Sequence, residues 1–123
     1  MDEEPEKRAI SLHSLIKHLF TRNKNTTAVL NTKEKISIVG SSEKRLRPEV
    51  RAGLKENEIE ATGPGHAEEK VIKKAEIEKL HPTEIGVSRP ICLDCKSLIL
   101  QKDIQTKTNF SGKKSKNREN END

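Results

Sequence analysis

Residues 85–95 read IGVSRPICLDC, and they follow a segment, residues 63–69, that reads GPGHAEE. The apolar start of the first stretch predicts a short strand, which the proline ends. Cys92 and Cys95 then lie at the start of a predicted helix, and the Gly-Pro-Gly turn places His66 at the start of an earlier one. The two stretches therefore predict two helix N-termini, each of which carries side chains that can bind a metal ion.

The flanking sequence extends this alternation of strands and helices. The helix after the Gly-Pro-Gly turn is predicted to cover residues 67–80, and the helix with the cysteines ends at Gln101. Between them, the predicted strand covers residues 84–88. The alternating residues 104–110 predict one more strand, parallel to the preceding one because a helix connects the two.

Upstream, two short apolar segments, residues 28–30 and 36–39, predict an antiparallel hairpin. Between residues 10 and 20, apolar side chains at three- and four-residue spacings predict an amphipathic helix of about three turns. Residues 40–65 are predicted to form a loop with one helical turn near residues 49–58. Together these elements predict the α/β class, with a mixed sheet of about four strands that carries helices in two or three layers.

We expect three regions along the chain: a charged segment with the amphipathic helix (1–24), a folded domain (25–110) and a tail (111–123). The formal net charge is +4, from 24 basic and 20 acidic residues. The basic excess lies near the C-terminus, in Lys107, Lys113, Lys114, Lys116 and Arg118. Such cations can neutralise phosphates, although a polar tail of this kind is also typical of a disordered segment. The tail has no aromatic residue, so base stacking on it is not supported.

The composition leaves little material for a hydrophobic core. Of 123 residues, 30% are hydrophobic and 36% charged, with two Phe and no Trp or Tyr. Two cysteines cannot form a disulfide framework, so another stabilising element is expected, and a bound metal is the first candidate. No apolar run approaches the roughly 20 residues of a membrane-spanning helix, and the acidic start is unlike a signal peptide. We therefore expect no membrane segment and, as written, a cytoplasmic protein.

The cysteine pair and the histidine suit one zinc ion. The helix dipole stabilises the thiolates of a Cys-x-x-Cys pair at a helix start, and His66 supplies a third ligand. Three protein ligands leave a tetrahedral zinc with one open position, the arrangement that activates water. Glu68 follows the histidine by two residues, where a carboxylate can take up and return a proton. Glu69 is the alternative, because acidic residues are common in first helical turns for electrostatic reasons alone.

This set of residues resembles the signature of the zinc-dependent nucleobase deaminases, which is His-x-Glu followed by Pro-Cys-x-x-Cys. Residues 65–68 and 85–95 are most similar to the deaminase domains of bacterial polymorphic toxins. The resemblance extends over residues 28–110 and implies a cytidine deaminase-like fold, shortened at its C-terminus. One departure is Ile91, which separates the proline from the first cysteine where many family members have the two adjacent.

The resemblance implies the chemistry of the site. His66, Cys92 and Cys95 would bind Zn²⁺. Glu68 would carry protons for the water that attacks C4 of cytosine or C6 of adenine. The implied protein is a hydrolytic deaminase and a bacterial toxin domain, which could be secreted and act in the cytoplasm of a target cell.

The resemblance also implies the substrate contacts and partners. The backbone N–H of Ala67 would contact the base, and Ser88, Arg89 and Pro90 would line the substrate pocket. The implied substrate is a nucleobase in a nucleoside, a nucleotide or a nucleic acid, including single strands. The implied protein partner is a cognate immunity protein that blocks the site.

Two other interpretations of the cysteine pair stay open. A thioredoxin-like redox motif also places Cys-x-x-Cys between a strand and a helix, but it leaves His66 and Glu68 without a role. A module of the same fold could instead keep zinc for stability alone and act by binding, without catalysis.

Overall fold

The computed structural model describes residues 4–113, and within them it contains five helices and five strands. In chain order they are α1 (Pro5–His13), α2 (Leu19–Lys24), β1 (Thr27–Thr32), β2 (Ser37–Ser41), α3 (Pro48–Ala52), β3 (Glu58–Ala61), α4 (Ala67–Ile77), β4 (Pro82–Val87), α5 (Leu93–Gln101) and β5 (Gln105–Thr106). In this part of the chain, no helix has both the length and the apolar character that crossing a membrane requires.

The strands form one mixed sheet in the order β3-β2-β1-β4-β5. β1 is antiparallel to β2 and β4, whereas β3 is parallel to β2 and β5 is parallel to β4. The predicted hairpin and the parallel last pair are therefore confirmed. The expected four strands are corrected to five, because the segment predicted as a loop contains β3. This edge strand alternates glutamate with apolar residues: Glu58 pairs with Arg8, and Glu60 accepts the backbone N–H of Leu46.

Helices cover both sides of this sheet, because alternate residues of the central strands face two separate hydrophobic clusters. On one side, α4 and α5 pack against Ala28, Leu30, Ile38, Ile85 and Val87. On the other side, α1 and the α3 residue Val50 pack with Val29 and Val39. The architecture therefore has three layers, with the sheet in the middle.

The N-terminal helix differs from the predicted one. Two helices, α1 and the short α2, replace the single helix expected across residues 10–20, and the residues between them are not helical. The buried residues of α1 are Pro5, Ala9 and Leu12, so the helix begins before residue 10, within the charged start of the chain. Most of the apolar residues that suggested the longer helix are exposed, namely Ile10, Leu15, Leu19 and Phe20. The spacing of the apolar residues therefore predicted the wrong buried face.

The last strand is shorter than predicted. Of residues 104–110, only the two of β5 pair as a strand, and one further bridge joins Ile91 to Phe110. Ile104 and Thr108 are buried as the predicted alternation requires, but Phe110, which the alternation places on the same face, is exposed. The predicted tail lies outside the described residues from position 114 onward.

Candidate metal centre

The starts of α4 and α5 meet at the edge of the sheet where β2 and β4 end, which is where open α/β sheets bind ligands. Gly65 adopts a φ of +106°, a conformation that glycine reaches without strain, and the following His66 is the N-cap of α4. Cys92 is the N-cap of α5. At Gly40, near the end of β2, an added Cβ would lie 3.3 Å from the Ala67 carbonyl oxygen, so α4 packs closely on the strand.

The structure brings the three predicted metal ligands together. Nδ1 of His66 lies 3.0 Å from Sγ of Cys95 and 3.5 Å from Sγ of Cys92. One ligand atom from each residue lies within 4.8 Å of the others, and both cysteines are buried. In a tetrahedral zinc site, bonds of about 2.1 Å to nitrogen and 2.3 Å to sulfur place these two atoms roughly 3.5 Å apart. The cluster therefore has the donor chemistry and the dimensions to hold a metal ion.

The two thiols of the cluster differ in acidity. A hydrogen bond from the Cys95 thiol, assisted by backbone N–H groups of the first turn of α5, lowers the pKa of Cys92 to about 6. The same hydrogen bond, together with burial, raises the pKa of Cys95. A thiolate is the metal-binding form of cysteine, so the start of α5 already favours that form at Cys92.

Glu68 points into the protein beside this cluster. Its side chain is buried, and burial raises its pKa to about 7, while its interaction with the Cys95 side chain acts in the opposite direction. Among the residues that the structure describes, its Oε1 is the buried side-chain oxygen or nitrogen without a hydrogen-bond partner. It is costly to leave a buried carboxylate oxygen without a partner. The site can therefore accept a hydrogen-bond donor, such as water, at this oxygen.

Glu69 faces outward and has a different role. Its Oε1 accepts the backbone N–H of His66 at 3.2 Å and lies 3.6 Å from Nε2 of the same residue. Its side chain is half exposed. A carboxylate at the second ring nitrogen orients a ligating histidine, so Glu69 favours the ring position in which Nδ1 faces the sulfurs.

The residues expected to contact a substrate do not all lie beside the metal-ligand cluster. Ala67 is the first residue of α4, where a backbone N–H has no acceptor within the helix. The Ser88 hydroxyl accepts the backbone N–H of Thr27 at 3.0 Å, so it is used within the fold. Pro90 is exposed. Arg89 donates to the Asn23 carbonyl and, with Ser88, lines a cavity on the other side of the sheet whose lining contains none of the metal-ligand cluster.

The sequence did not mark Arg22 and Asn23, which also line this cavity. Arg22 and Asn23 fall within the stretch 21–27, which the polar composition predicts as a linker. They belong instead to α2 and lie against the end of β4. No local pattern marks them, because only the pairing of β1 with β4 brings them to Arg89.

The C-terminal segment explains why a residue separates the proline from the first cysteine. Ile91 is fully buried, and its backbone bonds to two residues of that segment, donating to Asn109 and accepting from Ser111, each at 2.8 Å. The Leu93 N–H, in the first turn of α5, donates to the Lys113 carbonyl at 3.0 Å. The inserted residue therefore anchors residues 109–113 beside the metal ligands.

The fold and the cluster define an α/β protein with a potential His/Cys/Cys metal centre at its sheet edge. Comparison with protein-family models, curated proteins and solved structures found no match to the chain.

Proposed function

We propose that the protein is a zinc-dependent hydrolytic deaminase of a nucleobase, with the biological role of a bacterial toxin domain. The observation that carries the proposal is the buried, unpartnered Oε1 of Glu68 next to three side chains that fit one metal ion. A purely structural zinc site has four protein ligands and needs no orphan carboxylate beside it.

His66, Cys92 and Cys95 would hold the zinc. One imidazole and two thiolates suit zinc, and three protein ligands leave one coordination position open. When bound, zinc lowers the pKa of a coordinated water and so supplies a nucleophile at neutral pH. The cluster joins the starts of two helices, which gives the same ion a stabilising role in a chain with little aromatic core.

Glu68 would move the protons. Its carboxylate oxygen accepts a proton from the attacking water, and the same carboxyl group then donates a proton to the departing amino group. The burial of the side chain excludes bulk water from this exchange. The backbone N–H of Ala67, the first residue of α4, would orient the base.

The order of elements supports the assignment of the fold. Without α3 and β3, the chain runs β1, β2, α4, β4, α5, β5, the order that the deaminase resemblance implies. The ligands and the glutamate lie at the starts of α4 and α5, as the signature requires.

The test compares Glu68→Gln with the parent protein on cytidine, adenosine and single-stranded DNA and RNA. We expect the variant to lose about 10²- to 10⁴-fold in rate, because the proton carrier is gone, while it keeps one zinc per chain. Glu76→Gln is the matched control: it is exposed on the same helix, pairs with Lys102, and should leave the rate unchanged. A parent protein inactive on all four substrates would contradict the proposal, as would full activity of Glu68→Gln.

Glu69→Gln separates the two neighbouring glutamates. Because Glu69 contacts the backbone N–H of His66 and lies near Nε2, away from the metal-binding atoms, its loss should weaken zinc binding by about 10- to 100-fold and leave a rate that recovers when zinc is added. A loss that excess zinc does not restore would assign the proton transfer to Glu69 instead.

A further inference from the structure

A second cavity, of about 390 Å³, lies between α1, α2 and the end of β4. Its polar lining is contributed by His13, Ser14, Arg22, Asn23, Ser88 and Arg89. Two arginines therefore line one small cavity together with serine and asparagine residues, and its lining contains no acidic residue.

The two arginines are not neutralised by the surrounding protein. Among residues 4–113, no acidic side chain forms an ion pair with Arg22 or Arg89. Arg89 donates to the Asn23 carbonyl, which leaves most of its five N–H groups for another acceptor. Nearby guanidinium groups repel each other, so an arrangement of this kind is stabilised by an anion between them.

His13 holds this arrangement in place. Burial lowers its pKa, and the charges of Arg89 and Arg22 act in the same direction, so the ring is neutral at pH 7. A neutral ring has one donor and one acceptor. Its Nε2 donates to the Arg22 carbonyl at 2.5 Å, and its Nδ1 lies 2.8 Å from the Thr27 hydroxyl, which donates to it. The ring thus fixes α2 to the start of β1.

The cavity lies at the same edge of the sheet as the metal-ligand cluster. Arg89 precedes Cys92 by three residues, and three extended residues span at most about 11 Å. The cluster is on the α4 and α5 side of this edge, and the cavity is on the α1 and α2 side. A short oligonucleotide could therefore occupy both.

We propose that this cavity binds a phosphate group through Arg22 and Arg89. Guanidinium groups recognise phosphate by parallel charge-assisted hydrogen bonds, and a phosphate group has enough oxygens to accept from two of them. This inference deepens the proposed function, on which it depends only for calling the bound molecule the substrate: the deaminase acts on a nucleotide or a polynucleotide in preference to a free nucleoside.

Binding is measured with zinc-loaded Glu68→Gln protein, so that no turnover complicates it. The probes are inorganic phosphate, cytidine, cytidine 5′-monophosphate and a labelled single-stranded oligonucleotide of mixed sequence. Adding Arg22→Gln should weaken binding of the monophosphate and the oligonucleotide about tenfold, because charge-assisted hydrogen bonds are lost, and leave cytidine unchanged. Lys33→Gln, which removes one charge from the hairpin turn at the opposite edge of the sheet, is the matched control and should change nothing.

The source of the phosphate follows from the same titrations. Tighter binding of the oligonucleotide than of the monophosphate, with a salt dependence that Arg22→Gln reduces, assigns the site to a polynucleotide backbone. Equal binding of the two assigns it to a nucleotide. Arg89→Lys keeps a positive charge near Asn23. It should bind the monophosphate and the oligonucleotide more tightly than Arg22→Gln does. It therefore separates loss of charge from loss of the contact with α2.

Failure of this inference and failure of the proposed function give different results. If the parent deaminates cytidine and its monophosphate equally well and Arg22→Gln weakens neither, the phosphate site is wrong and the enzyme stands. If Arg22→Gln weakens phosphate binding but the parent deaminates nothing, the site stands and the enzyme is wrong. Equal binding of all probes to the parent and the folded Arg22→Gln protein overturns the inference outright.

Discussion

The two faces of the central sheet are closed in different ways. On the face with the metal-ligand cluster, α4 packs over Gly40, where an added Cβ would meet Cγ1 of Val71 at 3.0 Å. On the opposite face, α1 crosses Gly86, where an added Cβ would lie 1.9 Å from the backbone nitrogen of Glu6. A side chain can shift to relieve a contact, whereas a docked backbone can do so only if the helix moves. The first face can adapt locally, and the second depends on a close steric fit.

Each face also has its own polar connection. The first has the His66, Cys92 and Cys95 cluster, which joins the starts of two helices. The second has the buried ion pair between Arg8 on α1 and Glu58 on β3. The difference suggests that metal loading acts on one face and docking of α1 on the other, so that the two can be perturbed separately.

Removal of zinc should have the largest effect. A metal present at about 1,000 times its dissociation constant stabilises the folded state by about 4 kcal/mol, so a chelator should lower the melting temperature by roughly 10–15 °C. Hydrogen exchange should accelerate in the first turns of α4 and α5 and stay unchanged in α1. Calorimetry and exchange with and without chelator measure both.

Cys92→Ser provides the control for metal removal. Since it removes one ligand, the chelator should no longer shift its melting temperature. A parent protein whose melting temperature is unchanged by chelation would contradict the link between metal and stability. Equal acceleration of exchange in α1 would contradict the independence of the two faces.

A matched pair of glycine substitutions tests the steric difference. Gly86→Ala should lower the free energy of unfolding by about 3 kcal/mol, because α1 must move away from the sheet. Gly40→Ala should cost about 1 kcal/mol, since the nearest contact is the Val71 side chain, which can shift, and the Ala67 carbonyl oxygen at 3.3 Å has to give only slightly. Urea unfolding of zinc-loaded proteins gives both values. A greater loss of stability for Gly40→Ala than for Gly86→Ala would mean that the α1 face, and not the α4 face, is the one that adapts locally.

Features that depend on local sequence could be predicted, whereas features that depend on distant contacts could not. His66, Glu68 and the cysteines follow directly from local spacing, because each group sits at the start of one helix and the turn or proline before it marks that start. The hairpin is likewise local. The packing of α1, by contrast, involves Gly86, about 80 residues away in the chain, and a helical pattern does not encode such a contact.

β3 and the second cavity escaped prediction for a related reason. The pairing of Glu58 with Arg8 spans 50 residues, so the EIEA segment shows no local sign of its partner. Arg22 and Arg89 come together only because β1 pairs with β4. In the sequence, Glu68 differs from Glu69 by its two-residue spacing from the histidine, which the His-x-Glu signature shares. The structure separates the two by direction, since the Glu68 side chain is buried and the Glu69 side chain is half exposed.

The ion pair on the α1 face has the geometry of a strong interaction. Nε and Nη2 of Arg8 donate to the two carboxylate oxygens of Glu58 at 2.8 and 2.7 Å, and the Lys55 N–H donates to Oε1 at 2.8 Å. Burial alone would raise the pKa of Glu58, but the hydrogen bonds from Arg8 and Lys55 outweigh it and lower the pKa. The folded state therefore binds a proton at this site less readily than the unfolded chain does.

Glu58→Gln should have a smaller effect than Gly86→Ala, a loss of about 2 kcal/mol in the free energy of unfolding at pH 7. Because the folded pKa is lowered, the stabilisation is present above the ordinary carboxyl pKa of about 4.3 and is lost as the pH falls through the folded value. The difference between parent and variant should therefore shrink towards zero as urea unfolding is repeated at decreasing pH.

Glu34→Gln is the control. Hydrogen bonds from the backbone and ring of His81 lower the pKa of Glu34 to about 2. This pair is exposed, so solvent and added salt should make the loss of stability smaller still. Equal losses for the two variants would mean that burial adds nothing to the Arg8 ion pair.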